Sequence, residues 1–224
     1  GLIGTRYYFP FVDGRYTGYT LYVNEDYANN KGVEFTLDIR PTRYFSGGLT
    51  YTYSVVKGSA SSETEQYPGT QESTQLYYLD WDRTHIFNAS GTYTIPENEG
   101  PSIFGSQIFD NMDFSLILKA SSGSPYTPSG RDIGFVEKNS LRQPGLYNID
   151  FMIGKEFEFS GNFRLRLFAE ILNLTDHRNI LYVYGDTGDP DYTTVGNHST
   201  EYMQDPSNYG PPRSVRLGFT MRFN

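Results

Sequence analysis

The chain has 224 residues, with 18 basic and 26 acidic side chains, a formal charge of -8 and no cysteine. That charge argues against a nucleic-acid binder, which would normally show a basic patch, and the lack of cysteine excludes disulfides, thiolate metal sites and cysteine nucleophiles. Aromatic residues are abundant, at 20 Tyr and 16 Phe against one Trp, a bias that suits β-strands and membrane interfaces.

Mean hydropathy is -0.53, and no run approaches the roughly 18 apolar residues of a membrane-spanning helix. By hydropathy alone the chain reads as soluble. The histidines, His85, His177 and His198, share no metal-ligand spacing. The chain starts at Gly1 without a signal-peptide pattern and reads as a processed or partial chain.

Helical periodicity is almost absent. Eight segments alternate between apolar and polar residues instead, bounded by Gly, Pro, Asn, Asp and Ser clusters. In chain order they start at Gly18 (GYTLYVN), Gly32 (GVEFTLDIR), Phe45 (FSGGLTYTYSVV), Arg83 (RTHIFNASGTYTIP), Asn111 (NMDFSLILKAS), Leu146 (LYNIDFMIGKEFEF), Asn162 (NFRLRLFAEILN) and Arg213 (RSVRLGFTMRF). A period of two places alternate side chains on opposite faces of a strand. The second segment puts Val33, Phe35, Leu37 and Ile39 opposite Glu34, Thr36, Asp38 and Arg40. The last puts Val215, Leu217, Phe219, Met221 and Phe223 opposite Arg216, Gly218, Thr220 and Arg222. No second domain is visible, so residues 1–224 read as a single unit.

A soluble β-sandwich binding module also alternates, and composition alone favours it. Three features point elsewhere. The segments run to about 9–13 residues, whereas sandwich strands sit near 5 or 6 and a tilted bilayer-crossing strand needs about 9–11. Short links such as RPTR and SGN alternate with long polar ones, which are uncommon in compact domains. The long ones have about 25 residues from Lys57, about 24 from Gly123 and nearly 40 from Thr175 to Pro212. Long loops on one rim and short turns on the other are the layout of an outer-membrane barrel. Tyr147, Phe157, Phe159, Phe163 and Phe223 stand near segment ends, where aromatic girdles belong. The predicted fold is therefore all-β, an antiparallel transmembrane β-barrel with about eight strands in this chain. Its apolar face meets outer-membrane lipid and its polar face lines the lumen.

The ending RLGFTMRF resembles the C-terminal signal of outer-membrane barrels, carried by Arg216, Gly218, Met221 and Phe223, with Asn224 after the final aromatic as a small departure. The resemblance implies that the barrel-assembly machinery is a partner. NNKGVEFTLDIRP, DRTHIFNASGTYTIP, SGSPYTP and FAEILNLTDHRNI together resemble, in order, the C-terminal part of TonB-dependent receptors. That family implies a 22-stranded barrel in a Gram-negative outer membrane and a plug inside it. It also implies TonB-driven uptake of a siderophore, cobalamin, a glycan or a peptide. This chain departs from the family in having no plug and no TonB box. The expectation is a C-terminal barrel portion that supplies wall and outer loops, while the plug, the remaining strands and the TonB contact lie elsewhere. The alternative is a self-contained eight-stranded barrel with a structural or adhesive role. Such a small barrel would have to pair its interior charges with one another, because buried charges need partners.

Candidate sites are few. Tyr67, Tyr77, Tyr78, Trp81 and Tyr126 are candidate extracellular contacts, or girdle residues. Asp186, Asp189 and Asp191 could attract calcium, which takes oxygen ligands, but their spacing is not that of an EF-hand and a solvated acidic turn is the favoured reading. Asp150, Glu156, Glu158 and Glu170 could form a hydrolytic pair, yet on a lumen face they read as wall charges paired with arginine. With no G-x-S-x-G elbow, the chain is expected to be non-enzymatic and to need no cofactor. The sequons at Asn173 and Asn197 carry no meaning in a bacterial outer membrane.

Overall fold

The computed structural model describes residues 2–8, 11–12, 15–16, 19–61, 75–102, 107–130, 134, 136–160, 163–196 and 198–223, with side chains from residue 27 onward. Its strands are β1 (Leu2–Tyr8), β2 (Phe11–Val12), β3 (Arg15–Tyr16), β4 (Tyr19–Asp26), β5 (Ala28–Ile39), β6 (Phe45–Gly58), β7 (Tyr77–Tyr78), β8 (His85–Ile95), β9 (Met112–Ser121), β10 (Pro125–Tyr126), β11 (Leu141–Arg142), β12 (Leu146–Ser160), β13 (Phe163–Leu172) and β14 (Ser214–Phe223). One helical turn, α1 (Thr200–Met203), and a 3-10 turn at Pro206–Asn208 lie in the last long loop.

Seven long strands form one antiparallel sheet in the order β14-β13-β12-β9-β8-β6-β5, and β7 pairs with the end of β6. Every neighbour in that order is the next long strand in the sequence, as in a meander. The register runs without a bulge from β5 to β6, pairing Ala28 with Gly58 and Ile39 with Gly47, and from β13 to β14, pairing Phe163 with Phe223 and Leu172 with Ser214. Among the described residues the sheet is open: its edges are β5 and β14, which do not pair with each other.

The two faces differ as the alternation demands. Leu217 is 81% exposed and Phe219 64%, and Val33, Phe35, Val215, Met221 and Phe223 are also exposed. Among the described residues no second layer covers them. Fully burying one such side chain gains about 1.5–3 kcal/mol over leaving it in water, so a row of five calls for an apolar cover, which hydrocarbon supplies to an outer-membrane wall. Hydrocarbon in turn forces every backbone polar group in the wall to pair internally, which the continuous ladder achieves for the strands between the edges β5 and β14. The described buried apolar residues, Val56, Ala60, Tyr77, Leu79 and Val183, all sit at the long-loop end. This excludes the sandwich, whose core would lie between two sheets.

Seven of the eight predicted segments coincide with the long strands to within a few residues. The first differs. Residues 19–26 form β4, which pairs with β1 in a separate two-stranded sheet, although only Tyr27 separates β4 from β5. The sequence before Gly18 gave no pattern that announced β1, β2 or β3, because its apolar residues are contiguous rather than alternating.

Candidate functional site

The long links gather on one rim, and two of them lock together through a buried carboxylate. Asp82 is fully buried. Its Oδ1 accepts from the Val56 backbone N–H at 2.6 Å. Its Oδ2 accepts from Thr84 Oγ1 at 3.0 Å and from Arg142 Nη2 at 2.5 Å. Asn139 is the second bolt: its Nδ2 donates to the Tyr78 carbonyl and to Asp80 Oδ1, both at 2.6 Å. The loop after β6 and the loop after β9 are thereby held as one cap over a small core of Val56, Tyr77 and Leu79. A buried charge is costly unless paired and fully hydrogen-bonded, and Asp82 meets both conditions.

The last long loop, between β13 and β14, is clamped at its base. Asn173 has φ 53° and a buried side chain. Its Nδ2 donates to the His177 and Pro211 carbonyls, and its Oδ1 accepts from the His177 N–H. Asp176 Oδ1 accepts from the Arg213 N–H at 2.8 Å. The N-L-x-D run at Asn173 to Asp176 thus closes both ends of a loop of about 40 residues, and short polar residues that tolerate a left-handed backbone suit this task.

Between this clamp and the concave face of the sheet lies a cavity of about 590 Å³, with Arg83, Lys119, Asn148, Asp150, Asn173 and Arg216 among its lining. Asp150 Oδ1 accepts from Asn148 Nδ2 at 2.6 Å and from the Asn173 N–H at 2.9 Å, which fixes the carboxylate. The Lys119 ammonium has no hydrogen-bond or ion-pair partner among the described residues. The cavity therefore combines one fixed anion, cations and amides over an apolar floor, a lining suited to a polar organic ligand.

Farther from the loops, the concave face carries a charge ladder. Arg166 reaches across β12 to Asp113 at 2.8 Å, and Gly154 lies beneath, where a Cβ would stand 2.6 Å from the guanidinium and 2.7 Å from Asp113 Oδ1. Arg164 lies 3.5 Å from Glu158 and 3.9 Å from Glu156, and Arg216 lies 3.5 Å from Glu170. Glu156, Glu158 and Glu170 are therefore ion-paired wall residues.

The sequence-predicted contact residues separate. Tyr67 lies outside the described residues. Tyr77 is buried, and its hydroxyl donates to the Ser59 carbonyl at 2.7 Å, so it is an anchor of the cap rather than a surface for ligand. Tyr78 is half-buried beneath Arg142 and Lys57, at 4.8 Å and 4.4 Å from its ring centroid. Trp81 is 52% exposed on the turn between the pinned Asp80 and Asp82. Tyr126 is half-buried, and its hydroxyl lies beside Gly188 of the last loop. Sequence reasoning missed Asn139 and Arg142, which sit in no repeating pattern.

The acidic turn does not converge on a cation. Burial raises the Asp186 carboxyl, but hydrogen bonds from Thr194 and Thr193 outweigh it and hold the group below the ordinary carboxylate range. Asp189 accepts from the Asp191 N–H, and Asp191 accepts from the Tyr209 hydroxyl. That last bond raises the Tyr209 phenol. Among the described residues, no three His, Asp or Glu side chains form a metal-holding group.

At the C-terminus, Gly218 faces the Phe168 ring so closely that any Cβ would enter it. Met221 and Phe223 point outward and are exposed, while Arg216 turns inward to Glu170.

Comparison with known proteins agrees with this architecture. Residues 4–134, more than half of the chain, match the family described as outer membrane beta barrel domain. A solved structure of P. aeruginosa FpvA bound to heterologous pyoverdines is similar in fold, with TM-score 0.50 and 12% identity over 96% of this chain. The chain spans about a fifth of that protein, 21% of its length. No curated protein matches the chain.

Proposed function

Because the chain belongs to the outer membrane β-barrel domain family, we propose that it is the C-terminal wall of a TonB-dependent transporter importing a scarce nutrient. The wall would be completed by further strands and a plug outside these residues. The observation that carries the reading is the open meander. Its outward face is apolar and its concave face is charged, yet among the described residues β5 and β14 both end as unpaired edges. Unpaired backbone cannot face hydrocarbon, so each edge requires another strand. The coverage of FpvA, nearly all of this chain against a fifth of that one, supports a large barrel over a small one. The cavity by Lys119 and Asp150 is the wall's contribution to the substrate site, with Trp81 and Tyr126 as further contacts on the loops. RLGFTMRF is read by the assembly machinery.

The test uses the native polypeptide. Its intact mass, measured from isolated outer membranes, should exceed that of 224 residues several-fold. Uptake of labelled ferric siderophore, cobalamin, glycan or peptide should stop when TonB is deleted from the host. A native mass close to 25.5 kDa, or uptake indifferent to TonB, refutes the proposal.

A further inference from the structure

The lipid-facing side of the wall is not uniformly convex. We propose that it carries a seat for one zwitterionic phospholipid, with an acyl chain in a groove over β8 and β9 and the headgroup on the Lys155–Asp110 pair. The groove has a volume of about 430 Å³ and is bounded by Phe45, Ala89, Gly91, Phe114, Leu118 and Phe151. That size is within the range of ligand pockets, about 300–1,000 Å³. Ala89 is a small residue among the lining, the Phe45 ring packs over Gly91, and the remaining apolar lining is aromatic and leucine side chains. These six residues have outward parity, and Ser90 and Ser115 of the opposite parity complete the lining.

The register places a charged pair at one end of this groove. Phe45, Tyr93, Phe114 and Ile153 form one cross-strand row. Ile95, Met112 and Lys155 form the next outward row, on the side of the short turns. Two residues at about 3.3 Å each separate the rows by roughly 7 Å. Long loops face outward from the cell and short turns face the periplasm, so Lys155 lies toward the periplasmic headgroups. Lys155 Nζ binds Asp110 through both its backbone carbonyl and Oδ1 and lies 5.5 Å from the Phe157 ring centroid.

The pair offers one ammonium to a lipid phosphate and one carboxylate to a lipid amine. A zwitterionic headgroup satisfies both, whereas an anionic headgroup without an amine would meet the carboxylate with no compensation. A second copy of the chain seated on the same groove would bury the ion pair against an apolar wall, a desolvation that Coulomb attraction alone repays poorly. Charge complementarity and continuity with the lipid-contacting face therefore select a phospholipid.

The experiment uses the full-length protein, purified from native outer membranes in mild detergent and analysed by native mass spectrometry. Phosphatidylethanolamine and phosphatidylglycerol serve as the add-back probes. The expected result is one phosphatidylethanolamine retained per chain, with retention reduced at least tenfold in Ala89→Phe. Lys155→Gln should reduce it about fivefold while leaving the groove intact. Heat-modifiable gel mobility establishes that both variants are folded. Equal retention by Ala89→Phe overturns the proposal, as does equal binding of phosphatidylglycerol, or a dimer that Ala89→Phe dissociates.

Discussion

The sharpest prediction concerns Leu217→Arg. Leu217 lies near the middle of β14 on the outward face and is 81% exposed from protein. If hydrocarbon covers it, an arginine there costs about 2–4 kcal/mol at the bilayer midplane. At about 1.4 kcal/mol per factor of ten, this lowers the folded-to-unfolded ratio by roughly 30- to 700-fold. Thr52→Arg is the matched control. Thr52 faces inward and pairs in register with Glu34, so the same residue type should be near neutral there. Both variants would be made in the full-length protein, and unfolding from phospholipid vesicles followed by denaturant titration and gel mobility. If Leu217→Arg costs no more than Thr52→Arg, the assignment of lipid to the outward face is wrong.

Three further outcomes follow from the rim and the lumen. Asp82→Ala strands the Val56 N–H and the Arg142 guanidinium, and breaking a buried pair costs about 3–5 kcal/mol. Hydrogen exchange should therefore accelerate strongly around residues 76–82 and 138–142 while the strands stay protected. For Asp186 the lowered folded value fixes the sign. Its contribution is fully present above the unfolded value of 3.8 and is lost as pH falls below it through the folded value. Proteolysis of the loop at residues 186–194 should thus rise only in that acid window, and Asp186→Asn should reproduce the rise at neutral pH. Gly218→Val drives a side chain into the Phe168 ring and, as an overpacking change, should cost about 1–3 kcal/mol. Phe168→Ala should recover most of it in a double-mutant cycle, and independent effects would refute the contact.

The strands and their faces were legible in the sequence, because a period of two in residues such as Val215 to Phe223 is a local property that any strand inherits. The sequence also placed the long loops on one rim, since antiparallel neighbours alternate their ends. Asp82, Asn173 and Asp176 stood within recognisable runs, but their role as clamps did not show in them. The tertiary structure alone decided what those residues hold. Asp82 meets Arg142 across 60 positions and Arg166 meets Asp113 across 53, and such pairs depend on register, which no local pattern encodes. It likewise decided that Tyr77 is an anchor and Trp81 a surface residue, although both are aromatics of one loop, because burial is set by what folds over a residue. Whether the sheet closes was also beyond the pattern: alternation is the same in a small barrel, a sandwich and an arc of a large wall, and only the unpaired edges of β5 and β14 distinguish them.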